Sequence, residues 1–556
     1  MPHVMVRVRS FWTLLWSDRT ALALAALAVT VYLPALWWGL PVATSEAGIR
    51  GWDVDGVTGI SVLAEFHNLL VEAKSDWYVA YPLFHYVVLG IFYAPYLAWL
   101  MVTGGLTPES AYPYGFSDPV TSLAVLAIIG RLVSMLMATG TVVAAYHAAR
   151  IVWDRNTGFL TGLLVMLSGP MIYRARTGNL DVPVLFWTSL GVVVLALIAT
   201  KGFSVKRAAL LGVFAALSTA TKDQAYGGWV AVIAMLMLMH WRALLPSPDQ
   251  SNVSWWKSPA VLILVGLAVY AIANGIFLSP DRYLAHTQFI LTYEEARFAF
   301  PELDLERAKS VAGFALLAYE IAAMVVFAVG PPVALAAIVG LLVPAGNNRF
   351  LWLLAAMLFG YVVLVIAPIA HVQYRYALLP GFLLAFPAAH WLVTMFRRRG
   401  FQAAVGGIVG TLAIGYLICV GGILTYQKLF DARYDAGRWL ASHMKPGQKI
   451  GYFGDRGQLP RLPVGINVVQ MLGEAGDKDK LTSGELAAVL VIPDYTAPES
   501  GERSLFMPKD TYLGLQNGDL PYGLAARFET PAPLGIRFPF VNSPVRIFVH
   551  ETAERQ

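Results

Sequence analysis

Two acidic stretches stand out in a chain that is otherwise largely apolar: Gly51-Trp52-Asp53-Val54-Asp55-Gly56, after the first hydrophobic run, and Asn179-Leu180-Asp181-Val182-Pro183, between two later ones. A carboxylate beside hydrocarbon is costly unless it faces protein or water, so an acid at the edge of a helix bundle marks a functional site by default. Bases recur at the same kind of position, in Lys222-Asp223 and in His371-Val372-Gln373-Tyr374-Arg375-Tyr376. Carboxylates can take a proton from an attacking group, and cations can hold an anion as it leaves. Plainer readings stand beside these: Asp181 ahead of Val182-Pro183 has the form of a helix N-cap, and Asp53 and Asp55 could belong to a solvated turn.

The elements that must carry these groups are membrane helices. Of 556 residues, 57% are apolar and 13% charged. Runs of about 20 apolar residues suffice to cross a hydrocarbon core of roughly 30 Å. Thirteen such segments fall near 21–40, 81–102, 119–149, 157–173, 182–200, 208–221, 226–241, 260–278, 311–329, 331–345, 350–370, 376–395 and 403–425. If all cross, Arg150, Arg155, Lys201, Lys206, Arg207, Arg242 and Lys257 lie outside, against the positive-inside rule. Letting 81–102 and 311–329 lie in the outer interface moves those seven residues to the cytoplasm and leaves eleven spans. The preferred topology has a cytoplasmic N-terminus, a retained first span, and Asp53, Asp55, Asp181, Lys222, Arg375 and the loop 279–310 outside. Basic clusters between spans argue for orientation in a bilayer and against nucleic acid. Cys419 is the single cysteine, so no internal disulfide can form.

From Tyr426 charge and turn residues return, which predicts a separate soluble α/β domain over 426–556, external on this topology, after a membrane domain over 1–425 whose first external loop is about 41–118. A helix is expected over Asp431–His443 and strands over Lys449–Gly454, Leu486–Pro493, Leu524–Phe528 and Val545–His550. No phosphate loop, nucleophile elbow or metal spacing occurs there, so a docking or lid role is the expectation.

The order of motifs resembles the GT-C superfamily of membrane glycosyltransferases, in the branch of protein O-mannosyltransferases and aminoarabinose transferases. The matching pieces are Asp53-Val54-Asp55; Tyr81-Pro82-Leu83-Phe84-His85-Tyr86; Arg131-Leu132; Arg174-Ala175-Arg176 with Asp181-Val182-Pro183; Thr221-Lys222; and Arg375-Tyr376-Ala377-Leu378-Leu379-Pro380. A weaker echo lies at Asp431-Ala432-Arg433-Tyr434. The usual first-loop signature in that superfamily is Asp-Glu, and the Asp-Val-Asp here leaves open whether Asp53 or Asp55 holds the catalytic place.

The resemblance implies a polytopic helical protein that moves a hexosyl or pentosyl group from a polyprenyl-phosphate donor to a glycan, lipid or protein acceptor at the external face of a plasma or inner membrane. It implies inversion by single displacement, with a first-loop Asp as general base and Asp181 also in the catalytic set. Arg375 and Lys222 are the first choices for the lipid phosphate, with Arg174, Arg176 and Arg131 in reserve, although an interfacial Arg often only snorkels. Tyr376, Tyr81 and His85 are further substrate contacts. His85, His286 and His371 match no metal motif; no cofactor follows from these residues, and a metal requirement is left open. A lipid or polysaccharide transporter is the rival reading, for which charges would line a path through the bilayer instead of gathering at one face. A non-catalytic partner in a glycan-assembly complex is another.

Overall fold

Aspartates and glycines punctuate the apolar runs and decide where each helix starts and stops. Asp18, Asp118 and Asp154 each accept a hydrogen bond from a backbone N–H in the first turn of the helix that follows, and Pro119 occupies the first helical position after Asp118. Gly104, Gly202 and Gly330, all at positive φ, end three others. The computed structural model describes residues 18–53, 56–72, 80–109, 111–242, 256–292, 310–342, 348–369, 372–453, 456–471, 475–492 and 507–551.

Helix covers the core of every apolar segment. In chain order these are α1 (Arg19–Tyr32), α2 (Gly59–His67, in the first loop), α3 (Phe84–Thr103), α4 (Pro119–Val152), α5 (Arg155–Leu167), α6 (Gly169–Arg174), α7 (Asp181–Lys201), α8 (Val205–Thr221), α9 (Ala225–Trp241), α10 (Lys257–Ala273), α11 (Pro280–Thr292), α12 (Val311–Val329), α13 (Pro331–Leu342), α14 (Asn348–Tyr361), α15 (Leu378–Phe396) and α16 (Phe401–Leu429). A π turn over Val362–Ile366 prolongs α14, and a 3₁₀ turn over Tyr374–Ala377 leads into α15. Among the described residues, seven helices are long and apolar enough to cross a membrane. With the small sheet that follows them, the chain is a polytopic α-helical membrane protein carrying a C-terminal α/β domain.

The bundle has two unlike ends. Both α4 and α7 leave the layer that holds Asp53 and Asp181 in the same direction, and the ring of Phe186 lies 2.6 Å from where a Cβ on Gly140 would stand. At their far ends Arg150 and Arg155 pair with Asp18, Arg397 pairs with Asp154 at 2.9 Å, and Arg207 donates to the Lys201 carbonyl at 2.7 Å. Ser258 at the start of α10 bonds the Phe203 carbonyl at 3.3 Å. The basic loops therefore gather at the end opposite the carboxylates.

The two segments expected to avoid crossing, α3 and α12, are each long and apolar enough to cross by themselves. Among the described residues, both pack at the carboxylate end. Leu317 and Ile321 of α12 pack with Tyr361, Val365, Ile366 and Tyr376, while α3 packs through Leu89 and Tyr93 on Leu123, Leu126 and Val133 of α4. Helix α11 is tied to the same end by a buried ion pair between Arg282 and Glu65 of α2 and by His286, whose Nε2 lies 3.1 Å from Asp223.

Helix α16 runs four residues beyond 425, and the soluble domain starts at α17 (Ala432–His443), capped by Asp431. Its sheet, β1 (Lys449–Phe453), β2 (Asn467–Met471), β3 (Ala488–Val491), β4 (Tyr522–Phe528) and β5 (Val545–His550), has the order β2-β1-β3-β5-β4. Pairing is parallel on one side of β3 and antiparallel on the other. Strand β2 and the short helices α18 (Ala475–Thr482) and α19 (Lys509–Asn517) went unforeseen. The reason is visible in β2, an edge strand with only Met471 buried, so its apolar signal is weak.

Candidate active site

Asp53 is held from both sides. Arg131 Nη2 donates to its Oδ1 at 3.2 Å, and the Gly178 N–H donates to its Oδ2 at 2.9 Å. Arg131 is itself fixed, donating to the carbonyls of Leu36 at 2.8 Å and Trp38 at 2.6 Å, and only 1% exposed. The first loop and the turn before α7 are zipped once more by the Val57 N–H on the Gly178 carbonyl at 2.8 Å. Burial pushes the Asp53 carboxyl up, but the Arg131 guanidinium and the Gly178 N–H outweigh it and hold the acid below the usual carboxylate range. Asp53 is therefore ionised at neutral pH. Asp55 lies outside the described residues, as does His371.

Asp181 opens α7 but does not cap it. Its own N–H goes to Asn179 Oδ1 at 2.9 Å, and its side chain turns away from the helix. Lys222 Nζ donates to Asp181 Oδ1 at 2.5 Å, from the point where α8 ends. Oδ2 has no hydrogen-bond partner among the described residues, and Arg174 Nε stands 3.6 Å from it. The capping reading of Asp181 thus gives way to an ion-pair cluster of one acid and two cations, all buried. Three peptide units separate Gly178, which holds Asp53, from Asp181, so their Cα atoms are at most about 11 Å apart.

Beside this cluster lies a half-open hollow between α7, α9, α14 and α15, whose roughly 470 Å³ of empty space includes open solvent. Asp181, Thr188, Gln224, Tyr361 and Arg375 supply its polar groups, and Leu185, Trp229, Met357 and Leu378 are among its apolar walls. A largely apolar hollow with a few convergent polar groups is the usual form of a site for an amphiphilic ligand. Arg375 enters it from the 3₁₀ turn before α15, with its guanidinium 5.4 Å from the centre of the Tyr376 ring.

The other expected residues divide. Arg174 belongs to the cluster, its guanidinium 4.7 Å from the Tyr173 ring centre. Lys222 is paired with Asp181 through its ammonium. Arg131 serves the first loop, and Arg176 ties α1 to α16 by donating to the Val31 carbonyl at 2.6 Å and to Thr425 Oγ1 at 2.9 Å. Tyr376 is packed into the cluster with Leu317 and Tyr361. Tyr81 accepts Arg282 Nη2 on its carbonyl at 3.1 Å. His85 is buried on α3, its Nδ1 without a hydrogen-bond partner among the described residues. The structure adds Gln224, Thr188 and Trp229 as cavity residues. Only Gln224, two residues after Lys222, carried a sequence signal for that role. Among the described residues, no group of three or more His, Cys, Asp or Glu side chains could hold a metal ion.

No family model matches the chain, and no curated protein matches it. Among solved structures it is similar to ArnT from Cupriavidus metallidurans bound to undecaprenyl phosphate, at 12% identity over 95% of this chain and 97% of that one, with a TM-score of 0.46. It is similar also to AglB, the oligosaccharyltransferase of Archaeoglobus fulgidus, in complex with an inhibitory peptide and a dolichol-phosphate, at 13% identity over 96% of this chain and 76% of that one, with a TM-score of 0.48. The mycobacterial arabinofuranosyltransferase AftD gives 16% identity over 96% of this chain and 41% of that one, with a TM-score of 0.41. These neighbours are GT-C glycosyltransferases. At such low identity the chemistry of the site has to stand on its own residues.

Proposed function

We propose that the protein is a GT-C glycosyltransferase that takes a sugar from a polyprenyl-phosphate donor and passes it, with inversion, to an acceptor at the external face of the membrane. The observation that carries this reading is the pairing of an ion cluster with a largely apolar hollow: Asp181, paired with Lys222 and close to Arg174, lines a hollow that Arg375 also lines. A lipid-linked donor combines the two chemistries such a place can hold, an anionic headgroup and a hydrocarbon tail. The basic loops at the opposite end favour an external site, with the N-terminus cytoplasmic and the C-terminal domain outside.

In the proposed step the acceptor oxygen or nitrogen attacks the anomeric carbon while the bond from that carbon to the phosphate oxygen breaks. Its electron pair stays with the phosphate, where Arg375 and Arg174 would meet the developing charge. The acceptor's proton passes to a first-loop carboxylate, Asp53 or Asp55. Asp53 has the ionised form a base needs. Asp181 orients Lys222 and Arg174 and leaves one oxygen for the acceptor. A transporter would need charges along a path, whereas the described ion pairs inside the bundle collect in one layer.

The test is transfer by the purified protein in nanodiscs from a polyprenyl-phosphate sugar, together with donor binding by native mass spectrometry. Donor binding that needs Arg375 supports the reading. Equal binding by Arg375→Ala would place the lipid phosphate elsewhere.

A further inference from the structure

We propose that residues 536–542 of the C-terminal domain are a positioning element for Arg174 of the ion cluster and Arg375 of the cavity, with Phe538 as its central residue; this deepens, and rests on, the lipid-phosphate site described above. Phe538 is fully buried, and it packs in the hydrophobic core of the membrane domain, not that of its own sheet. Its ring centre lies 5.8 Å from that of Tyr374 and 6.1 Å from that of Phe327. The next residue, Pro539, accepts the Tyr173 hydroxyl on its carbonyl at 2.9 Å. Tyr173 and Tyr374 are in turn 6.3 Å apart. Each of these tyrosines immediately precedes one of the cations, Arg174 and Arg375.

The segment is braced for such a task. Gln427 Nε2 donates to the Ile536 carbonyl at 2.6 Å, and Arg433 Nη2 to the Phe540 carbonyl at 3.0 Å. Asn542 grips the domain junction, its N–H on Asp431 Oδ2 at 2.8 Å and its Oδ1 accepting the Ala432 N–H at 3.0 Å. Phe540 and Asn542 hold φ values of 60° and 55°, a conformation that Asn adopts readily but a bulky side chain such as Phe540 adopts only when surroundings enforce it. On its other side Tyr374 is stopped by α6, its hydroxyl 2.1 Å from where a Cβ on Gly169 would stand. Tyr374 is thus clamped between α6 and Phe538, and the backbone that delivers Arg375 cannot shift while Phe538 is seated. A loop that only docked the domain could rest on any helix end. This one rests on the rings of the two residues that precede Arg174 and Arg375 in the chain.

The experiment uses the full chain in nanodiscs and follows phenylglyoxal modification of individual arginines by peptide mass spectrometry, with Arg131 as internal reference. Phe538→Ala is expected to change the rate at Arg375 several-fold and that at Arg174 less, leaving Arg131 at its wild-type rate. Phe538→Leu should return both toward wild type. Tyr173→Phe should move Arg174 alone. Unchanged rates at Arg174 and Arg375 in Phe538→Ala would overturn the proposal, and so would a parallel rise at all three arginines, which reports general loosening. Binding of a polyprenyl phosphate to the same variants separates the two ideas. A wild-type protein that binds none refutes the lipid site, while the arginine rates still decide whether 536–542 positions these residues.

Discussion

Asp53 and Asp181 sit within a few residues' reach of one another, and each is paired with buried cations, yet they are built in opposite ways. Both oxygens of Asp53 are bonded, and its partner Arg131 is held by two further carbonyls. The neighbouring tryptophans are tied to the C-terminal domain: Trp38 donates to Asp431 at 3.0 Å, Trp52 donates to the Leu459 carbonyl at 2.8 Å, and the fully buried Arg433 lies 4.1 Å from the Trp52 ring centre. Asp181 has one oxygen on Lys222 and the other without a hydrogen bond, beside a cavity. The first region is a joint and the second a mouth. Ion pairing alone therefore says little about role; what separates the two is how many of each carboxylate's lone pairs the protein itself uses.

The largest effect is expected where a joint is also asked to do chemistry. Asp53→Ala leaves Arg131 charged and buried, which should cost about 3–5 kcal/mol of stability, read as thermal unfolding in detergent. Replacing both partners, Asp53→Leu with Arg131→Met, should recover part of that stability, since it leaves no unpaired charge although the Leu36 and Trp38 carbonyls and the Gly178 N–H lose their partners. Turnover should not return with it, because losing a general base lowers the rate by roughly 10²–10⁴. If activity and stability recover together, Asp53 is a joint and nothing more, and the base must be sought at Asp55. The pH dependence has a definite sign. A carboxyl held below its unfolded value of about 3.9 contributes stability that is complete above that pH and lost as pH falls through the folded value. The double variant should therefore show the flatter acid limb in unfolding scans.

Asp181→Asn should show the reverse balance. The amide oxygen can still accept from Lys222, so the unfolding temperature should fall less than in Asp53→Ala. Transfer should fall by roughly 10²-fold, the cost of misplacing groups around a reacting centre. A loss of stability like that of Asp53→Ala would erase the distinction between the two regions.

How far these roles could be read from the chain depends on the range of the interactions. Helices follow from apolar length and caps, which are local, and so all thirteen apolar segments were legible. The motif acids and bases were legible as a set, but not their partners. Arg131, Arg176 and Arg375 look alike as arginines at span ends, and only the fold shows that the first two bond backbone carbonyls while the third enters a cavity. Lys222 was visible as a cation, whereas its capture by Asp181, 41 residues earlier, is tertiary. The insertion of Phe538 into the membrane core left no local signal, since a phenylalanine between Arg537 and Pro539 reads as an ordinary turn.

Arg375 should produce the next largest effect. If its guanidinium meets the donor phosphate, Arg375→Ala should weaken polyprenyl-phosphate binding by about ten- to a hundredfold, the worth of one charged hydrogen bond at about 1.5–3 kcal/mol. Arg375→Lys should restore only part of it, because the planar two-pronged donor is lost. Titration by native mass spectrometry would show this. Lys222→Ala should also weaken binding, through a left-over Asp181 charge that repels the phosphate, and pairing it with Asp181→Asn should relieve that part. Strict additivity of the two changes would mean that Lys222 meets the ligand directly.

The smallest effect calibrates the others, because it comes from an ion pair of good geometry at the end of the bundle remote from both regions. Arg397 donates through Nη1 and Nη2 to the two oxygens of Asp154 at 2.9 Å each, a closer fit than the Arg131–Asp53 contact at 3.2 Å. Its side chain is 51% exposed, however, and that of Asp154 34%. Solvent and salt screen such a pair, and Asp154 keeps its bonds to the Asn156 and Thr157 N–H groups after the arginine is gone. Arg397→Ala should therefore cost no more than about 1 kcal/mol, less at high salt, with transfer unchanged. Asp154→Ala should cost somewhat more, about 0.5–2 kcal/mol, because it also removes the cap of α5. Unfolding scans of both variants at low and high ionic strength give the comparison. An Arg397→Ala loss as large as that of Asp53→Ala would show that pair geometry, not burial, sets the energy scale in this protein, and the contrast between joint and mouth would lose its physical basis.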